Sequence, residues 1–258
     1  MHAHASAATT ASTASATAPR GSAATAPRRR VIDAPTRAFH WLFALSFLGA
    51  YLTAESERWR ALHVTLGYTL AGLLVFRLLY GLFGPRHARL GALLRKLGAA
   101  PAWLRSTAAA LRAGTWQQIG WRPGQNLLMS AAVVAMLALV LPLTLSGYAT
   151  YNDWGDAFED VHEFSGNAFF SVVLGHIALI AGLSVLRRQN QARPMLSGFV
   201  AGPGPDLVKR PLRGLAVLLV MAVLAFGAWR WQQAPQGLVP GWGGAAVQGP
   251  AGGEGDDD

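Results

Sequence analysis

The chain contains no cysteine, and that absence removes several kinds of chemistry at once. Disulfides, thiolate metal sites, iron–sulfur clusters and any group tethered through a Cys-x-x-Cys-His motif are excluded. Charge is scarce as well: Asp, Glu, Lys and Arg make up 14% of the 258 residues, against about 25% in a typical soluble domain. No nicotinamide- or flavin-binding loop is present, so catalysis with those cofactors would belong to a partner. A net charge of +9 would suit a nucleic-acid binder, but the basic residues do not form one patch. They lie between apolar runs, and the sign of the charge alternates from one connection to the next. Nucleic acid is therefore not an expected partner.

What the chain has in abundance is apolar sequence, 52% of it, gathered into runs. Ala38 to Ala54 is free of formal charge after the start signals Asp33 and Pro35. Ala61 to about Gly84 is interrupted only by Arg77. Leu127 to Leu145 is uncharged over 19 residues, close to the roughly 20 that cross a bilayer's hydrocarbon core; Pro142 near its end is positioned to bend it. A fourth run spans about Asp160 to Leu186 and a fifth Leu212 to Trp229, closed by the belt-like Trp229-Arg230-Trp231. The expected fold is an all-α integral membrane protein of five spans. Residues 1–30 read as a disordered polar tail, with His2 and His4 inert in it. Residues 31–200 read as a four-helix membrane domain and 201–231 as a fifth transmembrane helix with its lead-in. Residues 232–258 read as a disordered acidic tail.

Five successive crossings place three basic segments on one side: the stretch up to Arg37, the connection Pro85–Asn126, and Arg187–Arg213. The opposite side receives a balanced loop at Glu55–Arg60, the acidic stretch from Asp153 to Glu163, and the acidic end of the chain. The positive-inside rule then makes the N-terminus cytoplasmic and the C-terminus periplasmic or otherwise external. Leu90, Leu93, Leu94 and Leu97, around Arg95 and Lys96, suit either a helix lying in the interface or an ordinary basic loop. His87, in the same connection, reads as exposed.

Four histidines fall in the predicted spans, where ionisable residues are costly and usually have a task. Helix one enters from the cytoplasm, so His40 lies near that face. Helices two and four start outside, so His63 and His162 lie near the external one. His176 is 14 residues beyond His162, about 21 Å deeper at 1.5 Å per residue and within about 40° of the same helix face. The levels therefore pair His40 with His176 and His63 with His162. Each pair suits the two axial positions of a six-coordinate haem iron, which changes charge with little rearrangement and leaves no open position. Zinc is a poorer match, because its structural sites usually gather four ligands at one level. A proton relay is the other reading, but the first four helices offer no buried carboxylate to continue one.

Gly67 and Gly166 each follow a histidine by four residues, leaving room on its face for a flat macrocycle; ordinary helix packing also explains such glycines. Arg37 and Arg77 fall at the cytoplasmic level, where they suit haem propionates, or else snorkel toward lipid phosphate. Arg58 or Arg60 would serve the same purpose outside.

The chain resembles the bacterial cytochrome b561 family, in particular the branch with the b-type cytochrome subunit of nickel-iron hydrogenase. The likeness is carried by Asp33-Ala34-Pro35-Thr36-Arg37-Ala38-Phe39-His40-Trp41, by Leu62-His63-Val64-Thr65-Leu66-Gly67-Tyr68, by Phe76-Arg77 through His87-Ala88, and by Val161-His162-Glu163 with His176. It covers about residues 31–200. The resemblance implies a four-helix diheme transmembrane bundle with two noncovalent haem b groups, located in the bacterial inner membrane. It also implies electron exchange between the quinone pool and a redox partner, with ligands at the same four histidines. A periplasmic dehydrogenase, a hydrogenase subunit or a soluble c-type cytochrome would meet the acidic external face, and lipid the rest. The fifth helix lies beyond that minimal core, as a partner dock or a plain anchor. The competing class is a non-redox transporter or scaffold whose histidines are structural or relay protons.

Overall fold

The computed structural model describes residues 27–119, 121–234 and 237–239. His2, His4 and most of both expected tails lie outside the described residues. The regular structure of the described residues is helical apart from one small ribbon. Strand β1, Arg28–Arg30, pairs antiparallel with β2, Phe199–Ala201, in the register Arg28 to Ala201. The last residues of the stretch expected to be a disordered tail thus form a strand, because their backbone finds a partner about 170 residues away in the chain.

Helix α1, Ala34–Thr53, starts where Asp33 accepts the backbone N–H of Thr36 at 3.0 Å, with proline in the first turn. A 3-10 turn at Glu57–Trp59 leads into α2, Arg60–Phe83, which stops at Gly84-Pro85. A Cβ at Gly84 would lie 2.2 Å from the Tyr80 carbonyl oxygen, so only glycine ends the helix this way. The connection that admitted an interfacial helix or a loop contains two helices, α3 (Leu90–Gly98) and α4 (Ala100–Arg112). Trp103 of α4 lies where a Cβ on Gly124 would sit, 2.3 Å from its Cζ2, which seats α4 against the next helix.

Helices α5, Trp121–Tyr151, and α6, Ala157–Arg187, are each 31 residues long. At 1.5 Å per residue that is about 46 Å, so their ends stand clear of a hydrocarbon core about 30 Å thick. Short α7, Arg193–Ser197, and β2 lead to α8, Arg213–Gln233. Among the described residues four helical stretches are long and apolar enough to cross a membrane: Glu57–Phe83, Trp121–Tyr151, Ala157–Arg187 and Arg213–Gln233. α1 has the length, about 30 Å, but Arg37 and His40 dilute its apolar character, and it is not among the four.

The helices alternate in direction, so the end of α1, the start of α2, the end of α5 and the start of α6 share one end of the bundle. α6 lies along α5, and α1 lies along both α2 and α8. Among the described residues α6 has no comparable backbone packing against α1 or α2. Side chains bridge that gap at mid-depth. Phe169 of α6, 1% exposed, meets Phe43 and Phe47 of α1 at ring separations of 6.0 and 4.4 Å, and Tyr51 stacks on Phe170 at 4.3 Å. Leu70, Leu74, Val140 and Leu143 complete this core. Close packing of this kind holds helices together in lipid, which is as apolar as leucine. Leu45, Leu52, Val185 and Leu186 face outward, as a lipid environment allows.

Candidate functional site

His63 and His162 open on the gap beside α6, while His40 of α1 and His176 of α6 lie nearer its other end. At the end shared by the start of α2 and the start of α6, His63 and His162 face each other with ring centroids 6.0 Å apart and planes at 81°. Nδ1 of His63 lies 2.8 Å from the Ala50 carbonyl oxygen, and Nδ1 of His162 lies 2.9 Å from that of Leu143. A carbonyl can only accept, so each Nδ1 carries the hydrogen and each Nε2 keeps a lone pair for a metal. Adding a metal–imidazole bond of about 2.0–2.1 Å to the distance from nitrogen to ring centre, on both sides, gives a centroid separation of about 6 Å. The observed spacing is of that order, with the ring planes at 81°.

These rings open on a cavity of about 590 Å³ between α1, α2, α5 and α6, well inside the roughly 300–1,000 Å³ of cofactor sites. Gly67 and Gly166 line it. A Cβ at Gly67 would meet nothing within 4 Å, and one at Gly166 would meet only Leu143 Cδ1, at 3.7 Å. Protein packing therefore does not require glycine at either position, and the space beside them is free for a flat group. Gly147 differs. A Cβ there would lie 2.7 Å from Cε1 of His162, so this glycine lets the imidazole lie against α5. Sequence reasoning overlooked it, although a glycine inside an apolar helix costs about 1 kcal/mol against alanine and was the available signal. Thr150 also lines the cavity, with a buried hydroxyl lacking any partner. The mouth is acidic: Glu55, Glu57, Asp153, Glu159 and Glu163 surround it with Arg60, while Arg58 does not line it. Arg60 is 3.5 Å from Glu57 and lies over the Tyr151 ring.

His40 and His176 belong to the other end. The His40 ring packs edge-on against Trp41 at 5.1 Å. Both Nδ1 atoms are buried with no hydrogen-bond partner. A buried polar atom left unpaired costs about 1–3 kcal/mol, so this pair also has capacity that the chain itself does not use. Among the described residues no three His, Asp or Glu side chains converge as a metal cluster.

The arginines expected near the inner level have partners in the chain. Arg37 donates to the Ser197 carbonyl at 2.6 Å, with its Nε buried and unpartnered. Arg77 donates to the Ala88 carbonyl at 3.1 Å. His87 is a correction: it is not an exposed loop residue but pairs with Asp33 at 2.6 Å. Asp33 is fully buried and also accepts the Tyr80 hydroxyl at 2.5 Å. Burial alone would raise the pKa of Asp33. The hydrogen bonds from Thr36, Tyr80 and His87 outweigh it and hold the carboxyl below its ordinary value. The helix-start signal read at Asp33 is thus also the centre of a buried polar cluster that ties α1 to the end of α2.

With this geometry in place, comparison with known proteins adds one finding. A family model described as prokaryotic cytochrome b561 matches residues 31–198. Neither the curated proteins nor the solved structures contain a match.

Proposed function

We propose, for a chain that belongs to the prokaryotic cytochrome b561 family, that it conducts electrons across a bacterial inner membrane through two noncovalent b haems. His63 and His162 hold one, and His40 and His176 the other. Family membership supports the general electron-transfer role. The observation that carries the finer reading is the facing pair His63 and His162, 6.0 Å apart with both Nδ1 atoms committed to carbonyls. When bound, haem supplies a one-electron iron couple at each level.

The rest is the work of the chain. Two imidazoles would hold each haem, which would then supply electron transfer rather than catalysis. Ala50 and Leu143 carbonyls orient the outer rings and raise their basicity. Gly67 and Gly166 leave space for the macrocycle. Arg37 and Arg77 each spend one guanidinium N–H on a carbonyl and keep others for the inner haem's propionates. α1 is the first crossing and brings the total to five, its polar start seated at the cytoplasmic surface. The basic connections face the cytoplasm and the acidic mouth faces the periplasm. There it meets a dehydrogenase, a hydrogenase subunit or a soluble c-type cytochrome, while quinone exchanges electrons from within the membrane.

The test is a reduced-minus-oxidised absorption spectrum with haem stoichiometry, on protein expressed with adequate haem. A b-type α band and two haems per chain are expected. Protein that binds no haem under those conditions would sink the proposal and return the histidines to a non-redox scaffold or transporter.

A further inference from the structure

A second cavity, of about 430 Å³, lies at the opposite end of the bundle from the His63–His162 pair, where α1 and α8 begin. Its wall brings together Arg30 of β1, Arg37 of α1 and Arg213 of α8. The pairing of Arg30 with Phe199 across the ribbon fixes the first of these, whose guanidinium lies 5.1 Å over the Phe199 ring. No carboxylate lines the cavity among the described residues. The nearest acids are occupied elsewhere: Asp206 accepts the Arg30 backbone N–H at 2.5 Å, and Asp33 is closed into its cluster with Thr36, Tyr80 and His87. The buried Nε of Arg37 has no partner. Three like charges held in one recess repel one another, and guanidinium forks match phosphate oxygens in geometry.

The same recess continues into apolar surface. Val217 lines it and is 61% exposed. Met221 and Leu224 follow on the same face of α8, at 56% and 60% exposure. A charged seat at a membrane helix start, opening on an apolar ridge along that helix, has the form of one molecule with an anionic head and a hydrocarbon tail. Basic pockets between transmembrane helices on the cytoplasmic side are known seats for lipid headgroups. We propose that this recess binds an anionic phospholipid, its phosphate on Arg30 and Arg213 and one acyl chain along Val217, Met221 and Leu224. The proposal rests on the chain lying in a membrane, not on the haem reading.

The experiment uses delipidated full-length protein in detergent, titrated with phosphatidylglycerol, phosphatidylcholine or inorganic phosphate. Native mass spectrometry reads bound lipid and thermal unfolding reads stabilisation. Phosphatidylglycerol should bind at least tenfold more tightly than phosphatidylcholine. That preference should disappear in R30Q/R213Q, return largely in R30K/R213K, and be unaffected by R112Q on the exposed face of α4. Equal binding of the two lipids, or an undiminished preference in R30Q/R213Q, would overturn the proposal. Stabilisation by phosphate alone equal to that by phosphatidylglycerol would overturn the lipid assignment in favour of a free anion. Size-exclusion profiles matching the parent protein keep loss of binding distinct from loss of fold.

Discussion

The two histidine pairs are made of the same side chains, yet the chain prepares them differently. At the outer pair, both Nδ1 atoms are tied to carbonyls, the rings face each other at 6.0 Å, and a cavity with acidic rim opens beside them. At the inner pair both Nδ1 atoms are buried and free of partners. On the proposed reading, backbone carbonyls orient the outer rings before haem binds, whereas the inner rings have no such hydrogen bond. Preorganisation of this kind lowers the cost of binding. The outer haem should therefore be the more firmly retained.

Replacing a ligand should separate the sites most strongly. His162→Ala is expected to remove the outer haem and leave about one per chain, and His176→Ala the inner one. Potentiometric titration distinguishes the two, and loss of the same component in both variants would break the pairing. Gly147 and Gly67 sharpen the comparison at the next level. Gly147→Ala pushes a Cβ into the His162 ring and should loosen the outer haem alone. Gly67→Ala meets no protein atom, so the fold should be untouched while outer-haem retention falls. Unchanged retention would show that the macrocycle does not lie there.

Asp33 probes the end of the bundle where α1 begins, away from the four span histidines. Its carboxyl is held below the ordinary aspartate value. The stability it adds is therefore complete at neutral pH and is lost as the pH falls through the lowered folded-state pKa. Asp33→Asn should cost about 1–3 kcal/mol near pH 7, with a smaller difference from the parent in acid, read as thermal unfolding across pH. A difference independent of pH would contradict the cluster's charged state. The smallest effect belongs to the acidic rim. Glu159→Gln with Glu163→Gln should slow association with a cationic electron donor at low salt and leave it unchanged at high salt.

Much of this architecture was legible because it is local. The long apolar runs announced the succession of helices, and the family assignment rests on residues 31–198. What stayed hidden depends on distant partners. His87 and Tyr80 reach Asp33 across 54 and 47 residues, and β1 pairs with a strand that no periodicity announces. Arg37 carries two meanings at once. Its charge dilutes the apolar signal of α1, and its guanidinium belongs to a recess built by three separate elements.

The contrast between the pairs depends first on both being haem sites of one kind. Near-infrared magnetic circular dichroism of the oxidised protein, quantified per chain, measures this directly. Two low-spin bis-imidazole centres per chain are expected, one lost in His162→Ala and the other in His176→Ala. A single centre, or a high-spin five-coordinate signal in the parent protein, would contradict it.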